Sequence, residues 1–113
     1  MTINDVKFDV DFTDADLIEK IEIGSKKVFD ETERIKNENF QVAEGIRQEC
    51  KIIKDFLDYV FGEGTSQQLF GNKDSLHLCL KAFEDIINEK EKQVKSINDL
   101  VSKYSPDRVQ RWT

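Results

Sequence analysis

Residues 40–61 read FQVAEGIRQECKIIKDFLDYVF, and the fold is decided here. Phe40, Ala43, Ile46, Cys50, Ile53, Phe56, Leu57, Val60 and Phe61 recur at steps of one, three and four, the period of a helix with a single apolar face. Gly62 follows where such a helix must stop, because glycine takes a positive φ without a Cβ clash.

Upstream, Leu17, Ile18, Ile21, Val28, Phe29, Thr32 and Ile35 carry the same period and predict a helix over 14–36. Thr13 stands where an N-cap is needed, and Asp14 and Asp16 suit the positive end of the helix. Ile23-Gly24-Ser25 interrupts the stripe and predicts a bend, since glycine costs about 1 kcal/mol against alanine inside a helix. Further upstream, Val6, Phe8, Val10 and Phe12 alternate with Lys7, Asp9 and Asp11. That period of two predicts a strand over 6–12, alone or as one arm of a hairpin. A lone strand needs an edge to pair with, in this chain or in a second copy.

Downstream, Gln67–Phe70 reads as a short helical turn between two loops, with Asp74 as the N-cap of a last helix over 75–104. Leu76, Cys79, Leu80, Phe83, Ile86 and Ile87 form its first apolar stripe. Val94, Ile97, Leu100, Val101 and Tyr104 form its second. Unbroken, this helix is about 45 Å long. A compact domain of this size has a radius of gyration near ~13 Å, so the helix end is expected to protrude. Pro106 then stops it. The fold class is therefore mainly α, with a short N-terminal strand or hairpin, three principal helices plus a short one, and a long last helix. A single domain spans 1–113, with 105–113 as an extended tail.

The chain carries 23 acidic and 17 basic residues for a net charge of −6, and residues 1–50 hold 13 of those acids against 7 bases. Binding to nucleic acid or to anionic lipid needs a basic face, and no stretch supplies one. No apolar run reaches the ~20 residues that cross a bilayer, and the first residues, MTIND, have neither part of a signal peptide. Cys50 and Cys79 both fall on apolar stripes, where a free thiol packs as a small hydrophobe. This predicts a reducing, cytoplasmic setting.

No catalytic, cofactor or metal site is expected. Asp9, Asp11, Asp14 and Asp16 look like cation ligands, but a calcium loop beginning at Asp9 would need Gly and Glu where Asp14 and Lys20 stand. His77 is the sole histidine, and Cys79, two residues on, faces another side of the same helix. Gly62-Glu63-Gly64-Thr65 lacks the Lys-Ser/Thr pair of a phosphate loop. The residues that point to binding lie near the end. Val94, Ile97, Val101 and Tyr104 form a narrow seam of the kind found between paired helices, and Arg108, Arg111 and Trp112 are residue types favoured as anchors at protein interfaces. Protein partners and a homo-oligomer are the expectation.

Four stretches resemble a family of small tail-module proteins from phages and prophages of Gram-positive bacteria. They are VKFDVDFTDAD at 6–16, EGIRQEC at 44–50, FGEGTS at 61–66 with Leu69-Phe70-Gly71, and KYSPDRVQR at 103–111. The resemblance implies a tail assembly chaperone that binds tape-measure or tail-tube proteins in the cytoplasm of the infected or lysogenic host and is absent from the finished virion. A structural component of the tail or head–tail joint, and a small acidic inhibitor of a host defence protein, are the alternatives.

Overall fold

The computed structural model describes residues 1–104. Two short strands, β1 (Thr2–Ile3) and β2 (Val6–Lys7), precede four helices: α1 (Ala15–Lys36), α2 (Val42–Phe61), α3 (Thr65–Phe70) and α4 (Leu76–Tyr104). The mainly helical class, the hairpin and the long last helix are as the sequence predicts.

The strand is shorter than expected. Thr2 pairs with Lys7 and Ile3 with Val6, antiparallel, around Asn4 and Asp5 at φ 48° and 65°. Two consecutive left-handed residues make the tight hairpin turn whose twist matches its strands, and Asn and Asp are the non-glycine residues that tolerate it. Met1 and Phe8 exchange one further pair of hydrogen bonds, at 2.9 and 2.8 Å. The ladder goes no further, so residues 8–12 are not a strand. β2 finds its edge inside this chain rather than in a second copy. The alternation still sorts the side chains. Phe12 is buried, Val6, Phe8 and Val10 are half-buried, and Lys7, Asp9 and Asp11 are exposed. Phe8 rests on Phe61 with ring centroids 5.3 Å apart.

α1 is one continuous helix that runs through Gly24, as the sequence predicts for 14–36. Its N-cap is Asp14, not Thr13: the Asp14 carboxylate accepts from the Asp16 amide, while the Thr13 hydroxyl and amide donate to Asp11. A connection over 37–41 turns the chain so that α2 runs back antiparallel along α1. Gly24 lets the two helices approach closely. A Cβ on it would stand 2.9 Å from Cδ1 of Phe56, inside contact distance. Phe29 and Leu80, placed on the apolar stripes by the sequence, are 66% and 46% exposed. Each sits about 100° round the helix from a buried neighbour, Val28 or Cys79, and so clears the packed face.

α2 is the central element. It carries Cys50, Ile53, Phe56, Leu57 and Val60 into the core, where Ile21 and Val28 of α1 and Cys79, Ala82 and Ile86 of α4 meet them. Phe56 stands edge-on to Phe83 of α4, at 4.9 Å and 76°. Gly62 closes α2 at φ 114°, as expected. α3 is capped from α2: the Ser66 amide and hydroxyl donate to the Asp58 carboxylate at 2.8 and 3.0 Å. The hairpin is tied to the same region by the Asn4 side-chain amide, which donates to the Leu69 carbonyl at 2.6 Å.

The start of α4 differs from expectation in one residue. The Ser75 hydroxyl accepts from the Leu78 amide, whereas Asp74 receives the Lys54 ammonium at 2.8 Å. Lys54 also donates to the Lys73 carbonyl at 2.8 Å, and its side chain is only 17% exposed. This ion pair fastens α2 to the entry of α4. The 29 residues of α4 span about 43 Å of a molecule whose longest dimension is 55 Å.

Candidate protein-binding surface

Two surfaces stand out. The first is the distal half of α4. At about 100° per residue, Val94, Ile97, Val101 and Tyr104 fall within an arc of about 80°, and Leu100 extends it on one side. Val94, Ile97 and Val101 are half-buried, Leu100 is 52% exposed and Tyr104 81%. These four seam residues are thus brought together on one face, as the sequence predicts. The other three, Arg108, Arg111 and Trp112, lie outside the described residues with the rest of the expected tail, 105–113.

The second surface was not legible in the sequence. On the outer side of α1 and α2 runs a groove of about 500 Å³, floored by Ile23, Ile52, Phe56 and Tyr59 and rimmed by charge. Ile23 is 53% exposed and Tyr59 46%, so apolar surface remains in water between the two helices. Lys27, Glu31 and Arg34 stand on the α1 rim and Lys51 and Asp55 on the α2 rim. Lys51 bridges to Asp55 at 2.9 Å and Arg34 to Glu31 at 3.0 Å, while Lys27 takes part in no ion pair among the described residues. Each helix read alone shows a solvated charged face here. Only their packing makes a groove of it.

The residues weighed for chemistry take structural places. Asp11 and Asp14 organise the start of α1, and hydrogen bonds from Thr13 hold the Asp11 carboxyl below the usual carboxylate range. His77 is exposed while Cys79 is buried. Cys79 lies instead within hydrogen-bonding reach of Cys50 across the α2–α4 contact. Burial pushes the Cys50 thiol up and that of Cys79 to about 12, which keeps both protonated and poorly nucleophilic. Thr65 closes the glycine loop by donating to the Gly62 carbonyl at 2.7 Å. Among the described residues, no three of His, Cys, Asp and Glu gather as a metal site would require, and no helix is long and apolar enough to cross a membrane.

A described protein family matches the sequence over residues 4–113, a span that takes in the hairpin turn and all four helices. The chain belongs to the family of unknown function DUF6673. No curated protein and no solved structure matches this DUF6673 chain.

Proposed function

We propose that this DUF6673 protein is a non-enzymatic assembly factor that binds other proteins through the distal half of α4. In this reading the partners are tape-measure or tail-tube proteins of a phage, met in the cytoplasm of the infected or lysogenic bacterium. The observation that carries the binding role is the end of α4, where Leu100 and Tyr104 continue a seam of half-buried apolar residues into solvent. An amphipathic helix of this kind supplies anchors at steps of three and four to a groove or to another helix. The acidic balance of the chain helps keep a complex with an aggregation-prone partner dispersed. The phage setting draws on the sequence resemblance alone.

The test is co-expression with phage tape-measure and tail-tube proteins, followed by affinity capture. One of these proteins should co-purify, and Leu100→Asp with Ile97→Asp should release it while the helical circular dichroism of the chain persists. Failure of both proteins to co-purify would overturn the reading. Mass spectrometry of purified virions decides between an assembly factor, which is absent, and a tail component, which is present.

A further inference from the structure

We infer that the groove between α1 and α2 is the interface of a two-fold dimer, in which each copy lays its α1 along α2 of the other. The approach of Gly24 to Phe56 and Tyr59 fixes the register of the two antiparallel helices. Carried along two antiparallel helices at about 1.5 Å per residue, that register brings Ile23 near the level of Tyr59, Lys27 near Asp55, Glu31 near Lys51 and Arg34 near Gln48, all of them lining the groove. A two-fold axis running along the groove brings α1 of one copy over α2 of its mate at the same levels. Every row is then complementary: apolar on aromatic, cation on carboxylate, carboxylate on cation, and guanidinium on amide.

The occupant is thus a second copy of this chain. A foreign helix would have to carry the same charges in the same order, whereas this chain presents them already. Within a chain of net charge −6, the groove rim is nearly balanced, with three cations against two carboxylates, so two acidic molecules can meet here without like charges facing one another. Lys27, without an ion pair among the described residues of the single chain, gains Asp55 of the second copy. The footprint is two helices wide and roughly 17 Å long, small beside the ~800 Å² per partner of a standard interface, so the dimer is reversible. This inference uses a different face from the seam of α4, and the two stand or fall separately.

Sedimentation equilibrium across a range of concentrations tests it. The unmodified chain should show a concentration-dependent dimer. Lys27→Asp alone and Asp55→Lys alone should each weaken it at least tenfold, because each then faces like charge across both copies of the row. An equimolar mixture of the two variants should recover the original affinity within about threefold, since each variant meets its opposite in the other. Both positions are exposed, so the fold is kept, and circular dichroism checks this. A strict monomer up to millimolar concentration, a mixture no tighter than its components, or loss of the dimer on Leu100→Asp would each overturn the inference.

Discussion

The same substitution at two glycines of neighbouring helices should have opposite signs. At Gly45 an added Cβ has Phe40 Cβ at 3.8 Å as its nearest neighbour, an ordinary contact, so Gly45→Ala gains only the helix preference of alanine, about 0.5–1 kcal/mol. At Gly24 the same gain is opposed. The new Cβ would stand 2.9 and 3.0 Å from two ring carbons of Phe56 and 3.4 Å from Tyr59. Phe56 is 3% exposed and held edge-on against Phe83, so it cannot swing aside without opening the α2–α4 contact. Overpacking of this kind costs about 1–3 kcal/mol, which leaves Gly24→Ala destabilising by about 0.5–2 kcal/mol net. For a chain of this length 1 kcal/mol corresponds to about 4 °C in Tm. Thermal unfolding followed at 222 nm should therefore show Gly45→Ala melting a few degrees above the parent and Gly24→Ala a few degrees below it. If Gly24→Ala melts higher, the glycine is not what sets the α1–α2 distance, and the register used to align the groove rows loses its basis.

Three further outcomes follow from the packing. Asp58→Ala removes the carboxylate that receives both Ser66 donors and should cost about 1 kcal/mol in urea denaturation; no change would mean that α3 needs no cap from α2. Lys54→Ala leaves Asp74 and the Lys73 carbonyl without their shared donor and should cost about 1–2 kcal/mol. That is more than removal of the exposed Lys26–Asp30 pair, which should cost about 0.5 kcal/mol or less. Alkaline titration should weaken the fold. Burial raises both thiols, Cys79 to about 12, whereas an unfolded thiol ionises near ~8.5. The folded state's preference for neutral sulfur is therefore complete below that lower pH and is lost as the pH climbs through about 12. Urea midpoints at pH 7, 9 and 10.5 should fall in that order, with a shallower slope in Cys79→Ala.

The periodicity of 40–61 located α2 to within two residues at its start, and Gly62 marked its end, because a helix boundary is a local event written in local chemistry. The alternation at 6–12 sorted inward from outward side chains but overstated the strand, since alternation reports which face is buried and not how far the backbone is paired. Gly24 read as a weakness because its cost is local, while its benefit, room for Phe56, appears only once α2 lies alongside. Lys54 and Asp74 are 20 positions apart, and Asp58 and Ser66 are eight, with no spacing rule to join them. The seam of α4 was legible for the same reason as α2. The groove was not, because it belongs to two helices at once and its rim looks like ordinary solvated charge on each.

The Phe56–Phe83 contact and the Lys54–Asp74 bridge clasp the first part of α4, where Cys79, Ala82 and Ile86 are buried, whereas Asn98 is the one buried residue of its last four turns. One continuous rod is thus rooted most deeply in its first half. Deuterium should enter the amides beyond Asp99 well before those around Ala82, and a protein gripping the seam would be felt first as a slowing of that uptake. Capture there would cost chain entropy without rearranging the core, so its strength could be adjusted by substitutions that leave folding untouched.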